Sequence, residues 1–363
     1  METINWKYAI GEQIVDYRED GTIRRNLTII DKELLIKKRT PDKATGKIYD
    51  RKEKRYRYQC NVCGWNNGWA IENNLSSHKK GCSCCAGKTI VHGINDIATT
   101  HPHLVKYFKN HNDAFLYAAH ANCCVELVCP DCGSVRNDYS IDLLSRSGFR
   151  CKECADGISY PEKFINAFLK QLNVEYKLQL NRTTYDWCRG YRYDFWFKFN
   201  DEEYLVEVHG SQHYYEQKNL ARNLSDIQQN DYAKKELALL NGFDDNHYIV
   251  LNCSESRLNW IKNEIEHSYF ATLIDLTTIN WIKCHEFACS SLIKEVCEYW
   301  QSHHTSPIST REVAEHFQLS MPTVRSYLYY GNKLNLCEYD ANISKRIKKR
   351  FNKSKIKTTK KGD

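Results

Sequence analysis

Tyr191-Arg192-Tyr193-Asp194-Phe195-Trp196-Phe197 and Tyr204-Leu205-Val206-Glu207-Val208-His209-Gly210 decide how this chain reads. Aromatic and branched residues dominate both stretches, which predicts two strands, and Asn200-Asp201 predicts the turn joining them as a hairpin. Asp194 and Glu207, with 12 residues between them, then face each other across it. Upstream, Tyr160-Pro161-Glu162-Lys163-Phe164 opens a helix whose apolar residues recur at Phe164, Ile165, Phe168, Leu169 and Leu172. Pro161 suits its first turn and Glu162 its positive end. Downstream come Gln212-His213-Tyr214 and a further helix carrying Asp231.

These residue types suit phosphodiester hydrolysis. The transition state gathers negative charge, which a hard cation such as Mg²⁺ neutralises, and Mg²⁺ takes carboxylate oxygens. Asp194 and Glu207 fit that role. A base titrating near neutrality must also take a proton from water, and His213 or His209 fits that one. Each carboxylate alone is an ordinary solvated group. Two carboxylates and two histidines at consecutive strand ends are costly to bury unless they have work in common.

Residues 158–266 resemble the PD-(D/E)xK nuclease superfamily, with Asp194 as its aspartate and Glu207-Val208-His209 in place of its (D/E)xK. Histidine stands where the lysine is expected, so the resemblance narrows to the Vsr-like branch and to phage homing endonucleases with a Glu, Asp, His, Asp constellation. It implies a restriction-endonuclease α/β core with Glu162 as the helix glutamate, Asp194 on the hairpin, His213 as base and Asp231 on the following helix. Glu162 and Asp231 would orient water, a ligand or His213. His209-Gly210 is similar to the His-Gly of the mismatch-repair enzyme, though the spacing to the next histidine differs.

Working outward, the 363 residues allow two or three domains. Many of the 17 cysteines fall in pairs: Cys60-x2-Cys63, 18 residues, Cys82-x2-Cys85, and again Cys129-x2-Cys132, 18 residues, Cys151-x2-Cys154. The two units start 69 positions apart and form an internal repeat. Each offers four thiolates for one structural Zn²⁺ in a reducing compartment. Cys84, beside Cys85, is the competing fourth ligand of the first unit. Trp69 to Leu75 and Tyr139 to Leu144 suit the hairpin or helix of a treble-clef finger. Gly93-Ile94-Asn95-Asp96-Ile97-Ala98-Thr99-Thr100-His101-Pro102 resembles the segment linking tandem treble-clef fingers ahead of phage and bacterial nucleases.

Towards the C-terminus, Ser309-Thr310-Arg311-Glu312 predicts a capping box. Val313, Ala314 and Phe317 line that helix; Ser320-Met321-Pro322 opens a second, with Val324, Tyr327 and Leu328 inward and Gly331 closing it. The pair resembles a helix-turn-helix with Gln318 at the usual turn glycine, and Thr323, Arg325 and Ser326 would meet DNA. Residues 341–363 carry net +9, including Lys345, Arg346, Lys348 and Lys349, and residues 37–57 carry +7, leaving −9 for the rest. Basic ends around an acidic middle suggest a gripped polyanion.

The expected architecture is therefore α+β and multidomain. It runs as a β-rich segment (1–50, with short strands at 11–17, 27–31 and 34–36), a first finger (51–88), linker and second finger (89–155), nuclease domain (156–269), helical connector (270–304), helix-turn-helix (305–340) and basic tail (341–363). The expected function is a site-specific, Mg²⁺-dependent endonuclease of double-stranded DNA with two structural Zn²⁺, of homing type. Its target would be long, with the cut well away from bases read by Arg325. A restriction or phage-defence nuclease, or a DNA-binding regulator on an inactive nuclease fold, are the alternatives. No run of about 18 apolar residues or export leader is present. A monomer or weak dimer in the bacterial or infected-host cytoplasm, with neither membrane nor small-molecule substrate, is expected.

Overall fold

A computed structural model describes residues 4–38, 41, 46, 50–217, 223–303 and 308–340. The fold is mixed α+β, and contacts divide it into two units, Met1–Glu126 with Asn137–Ser145, and Leu127–Arg136 with Arg146–Asp363. Among the described residues no helix is long and apolar enough to cross a membrane.

The first unit begins with an antiparallel sheet in the order β1 (Gln13–Tyr17), β2 (Ile23–Lys38), β3 (Asp50–Cys60) and β4 (Gly68–Ile71). The separate strands expected at 27–31 and 34–36 are one strand of 16 residues with an irregularity between Ile29 and Asp31. The polar Asp31 and Glu33 do not break it because Arg57 and Arg55 of β3 pair with them. Two short helices follow, α1 (Glu72–Ser76) and α2 (Ile97–Thr100). Within the linking segment, Asn95 donates to the carbonyls of Cys84 and Thr89, while the fully buried Asp96 caps α2 by accepting from Thr99 and Gly93. That stretch therefore builds its own turn. A two-stranded ladder, β5 (Cys124–Val128) and β6 (Val135–Ser140), and α3 (Ile141–Ser147) follow, while the cysteines of the second repeat, Cys129, Cys132, Cys151 and Cys154, belong to the second unit.

The second unit centres on α4 (Tyr160–Leu172) and a sheet formed by β7 (Glu175–Leu180), β8 (Tyr193–Phe199), β9 (Glu202–His209) and β10 (Tyr248–Asn252), in the order β10-β9-β8-β7. Ser159 and Glu162 close a reciprocal capping box on α4, with Pro161 in the first turn and left-handed Asn173 at the end. Asn200 and Asp201, with φ of 50° and 64°, form a tight turn between β8 and β9 whose backbone matches the twist of the strands. β10 is parallel to β9, so the chain must cross over, and α5 (Leu224–Leu239) makes the crossing.

Alternation along β8 divides its aromatic rings between two cores. Phe195 and Phe197 join Phe164, Phe168, Val206 and Leu251 beneath α4, while Trp196 joins Leu205, Ala238 and Tyr248. Beyond β10 lie α6 (Leu258–Glu266), α7 (Phe270–Leu273), α8 (Trp281–Cys289), α9 (Leu292–Ser302), α10 (Thr310–His316) and α11 (Met321–Lys333).

Packing sets both the connector and the end of α11. The connector belongs to two cores: Cys284 and Ala288 of α8 enter the core under α4, whereas Leu292, Ile293 and Val296 of α9 pack with Val313, Val324 and Leu328. Gly331 does not end α11 but sits inside it, buried, because a Cβ there would lie 2.0 Å from Sγ of Cys297. Left-handed Asn335 follows the helix instead.

Candidate functional site

The β8–β9 hairpin brings Asp194 and Glu207 to the positions one step beyond the last paired residues, Phe195 and Val206. Asp194 Oδ2 accepts a hydrogen bond from the Val208 amide at 2.9 Å, which holds the carboxylate against the neighbouring strand. Glu207 is buried, and its Oε2 lies 2.5 Å from Nζ of Lys234 on α5. Its Oε1 is buried without a hydrogen-bond partner among the described residues. Gly210 turns the chain out of β9 into a short 3₁₀ turn, Ser211–His213, and Nδ1 of His213 donates to Oδ2 of Asp231 at 2.6 Å. The His209 ring stacks on His213, with centroids 4.1 Å apart and planes 7° from parallel, and its Nε2 is likewise buried without a hydrogen-bond partner among the described residues.

Burial dominates the electrostatics. It pushes the carboxyl of Asp194 up from its ordinary value, only partly offset by the Lys234 ammonium. Glu207 is pushed up to about 8 by burial and by the charge of Asp194, against the pull of Lys234. Burial, helped by the charge of His213, takes His209 down to about 4, so its imidazole is neutral at pH 7. Burial works against the Asp231 carboxylate, but the hydrogen bond from His213 together with the charges of His209, His213 and Lys234 outweighs it and holds Asp231 below the usual range.

A cavity of about 360 Å³ gathers Glu162, Asp194, Glu207, His213, Asp231 and Lys234. Five of the six catalytic residues expected from sequence thus line one space, and His209 backs it through its stack on His213. Glu162 does so while its Oε2 accepts from the Ser159 amide at 3.0 Å, so its carboxylate also caps α4. Lys234 is the residue that sequence reasoning missed. Its one signal is a position three residues after Asp231, which puts both on one helical face.

The cysteine repeats fold into two tetrads, each with all four sulfurs within 4.8 Å of one another. In the first, Cys60 lies 3.6 Å from Cys85 and Cys63 3.8 Å from Cys82; in the second, Cys129 lies 3.6 Å from Cys154 and Cys132 3.7 Å from Cys151. Four sulfurs at about 2.3 Å from a tetrahedral Zn²⁺ are about 3.8 Å apart, so both sets fit the ion, and four thiolates leave no open position for water. Cys85 completes the first set, while Cys84 is buried in the adjoining hydrophobic core.

His209, His213 and Asp231 also have ligand atoms within 4.8 Å. The two rings are parallel, however, so their in-plane lone pairs do not converge on one ion. The arrangement suits a hydrogen-bonded pair better than a metal.

Of the residues expected to meet DNA, Thr323 is half-buried and Arg325 and Ser326 are exposed on α11. Lys345, Arg346, Lys348 and Lys349 lie outside the described residues. No family model matches this chain, and comparison with curated proteins and with solved structures finds no match either.

Proposed function

We propose that this chain is a Mg²⁺-dependent DNA endonuclease. The observation carrying the proposal is the meeting of Asp194, Glu207, Lys234 and the His213–Asp231 pair at one cavity. The buried Oε1 of Glu207, without a hydrogen-bond partner among the described residues, and the neighbouring carboxylate of Asp194 offer the oxygen donors that a hard cation takes. Bound there, Mg²⁺ would supply charge neutralisation at the phosphate and a more acidic water.

The protein's own groups divide the remaining work. An ionised Asp231 can only accept, so it fixes a proton of His213 on Nδ1 and leaves Nε2 as the atom to receive one from water. The water oxygen bonds to phosphorus, its proton passes to Nε2, and the bond to the leaving sugar oxygen breaks, that oxygen being protonated from solvent. The Lys234 ammonium sets a positive charge beside the carboxylates, where the phosphate's negative charge gathers. Asp194 and Glu207 hold the cation, and Glu162 orients the carboxylate side of the cavity from the start of α4.

In this reading the cysteine tetrads are structural zinc fingers, and α10 with α11 acts as a helix-turn-helix presenting Arg325 and Ser326 to DNA. The enzyme is of homing type, as the resemblance of residues 158–266 suggests. The test is incubation with supercoiled plasmid in Mg²⁺, and with DNA in Ca²⁺ for binding alone. The parent should cut, and Asp194→Asn should bind in Ca²⁺ but cut orders of magnitude more slowly. Binding by the parent without cutting would favour a DNA-binding regulator on an inactive nuclease fold. Equal cutting by Asp194→Asn would remove Asp194 from the metal site.

A further inference from the structure

A second cavity, of about 850 Å³, shares Glu162 and Asp194 with the smaller one and reaches from them to the turn between α10 and α11. Asn166 and Lys170 of α4, Tyr176 of β7, Arg192, Phe317 and Thr323 are among its lining. Lys170 and Arg192 are exposed cations on this space, and Tyr176 and Phe317 bring rings to it.

The turn between α10 and α11 is tied to β7. Gln318 takes a left-handed conformation, φ 52°, which turns its amide onto the free edge of β7. Its Oε1 accepts from the Leu178 amide at 3.0 Å and its Nε2 donates to the Tyr176 carbonyl at 3.2 Å, as a neighbouring strand would. Asp156 makes a second tie: its carboxylate accepts from Lys163 of α4 and from the Leu292 amide of α9, each at 2.9 Å, while its carbonyl accepts from the Tyr327 hydroxyl of α11. The first turn of α11 therefore opens on the same space as the buried aspartate.

Size and chemistry narrow the occupant. The volume is that of a pocket for a compact ligand, about 300–1,000 Å³. A duplex segment, which must be wider than its own major groove of about 12 Å, is too large for a space of that volume to enclose. A nucleotide or two drawn out of the stack does, with phosphates at the cations and base faces against the rings.

We propose that this cavity seats one or two nucleotides unstacked from the strand being cut, with Lys170 and Arg192 at their phosphates and Thr323 beside their bases. The proposal rests on the nuclease reading and adds to it a substrate form, locally opened DNA. It also puts part of the base readout beside the scissile bond, in place of the long separation that the sequence suggests.

The experiment measures binding in Ca²⁺ and cutting in Mg²⁺ on two mixed-sequence duplexes, one fully paired and one carrying a two-nucleotide bulge. The parent should bind the bulged duplex at least tenfold more tightly. Lys170→Ala/Arg192→Ala should lose that preference, and its log–log salt dependence should become shallower by about 1.4, two single-strand phosphate contacts at about 0.7 each. Thr183→Trp, at an exposed position lining the same cavity, should block the preference while leaving the cysteine tetrads and the catalytic cavity intact. Equal binding of the two duplexes by the parent, or an undiminished preference in both variants, overturns the proposal. Cutting of both duplexes without preference would leave the nuclease standing and the nucleotide seat refuted. A bulge preference lost in the variants, in a protein that never cuts, would uphold the seat and refute the nuclease.

Discussion

The ammonium of Lys234 lies 2.5 Å from the carboxylate of Glu207, with only 10% and 3% of the two side chains exposed. One charge comes from the crossover helix and the other from the strand it follows. Each is expensive to bury alone, so the pair locks α5 against β9 and places Asp231, one turn earlier, beside His213.

Above about pH 8, where Glu207 is ionised, Lys234→Met should therefore destabilise the protein by about 3–5 kcal/mol, because Glu207 would be left buried beside Asp194 without its counter-charge. Adding Glu207→Gln should recover part of that loss. Chemical denaturation reads both effects, and a single-variant cost below about 1 kcal/mol would fit an exposed pair instead.

The two sulfur tetrads predict two zinc ions per chain by elemental analysis. Cys85→Ser should lose one of them, while Cys84→Ser should keep both and lose only core packing. The reverse outcome would exchange the roles of the two neighbours. Stripping the metal with a chelator should unfold the knuckles, since structural zinc supplies folding free energy.

Gly331 allows α11 to approach Cys297 of α9 closely, a Cβ meeting Sγ at 2.0 Å. Gly331→Ala should cost about 1–3 kcal/mol through overpacking, more than offsetting the better helix propensity of alanine. Cys297→Ala in the same chain should relieve the clash. If Gly331→Ala stabilised the protein on its own, the helices would be further apart than described.

His247 stands between Asp244, 2.6 Å from Nδ1, and Glu202, 3.3 Å from Nε2. Burial pulls its pKa down, but the two carboxylates outweigh that and the net shift is upward. A raised value means the folded protein holds the proton more tightly. The resulting stability is fully present below the ordinary value of 6.5 and is lost as pH climbs through the folded one. Melting temperature should thus fall more steeply from about pH 6 to 8 in the parent than in His247→Gln. A slope that is flatter in the parent would reverse the sign of the shift.

Much of the local structure was legible in the chain itself. Tyr160-Pro161-Glu162 marks the start of α4, Asn200-Asp201 the hairpin turn, and the repeated Cys-x2-Cys spacing both tetrads, because each depends on groups a few residues apart or on a knuckle closed by its own backbone. Aromatic alternation was enough to mark β8 and β9, whose last paired residues, Phe195 and Val206, adjoin Asp194 and Glu207. The partners of those carboxylates were not legible. Lys234 reads as an ordinary helical lysine until a parallel crossover carries it over β9, and Gln318 as a misplaced turn glycine until its amide meets β7. Gly331 reads as a helix end until Cys297 closes on it. Propensity and patterning act along the chain, over one turn or one strand. The pairing of buried charges and the closest helix contacts are decided by which segments the whole fold brings together.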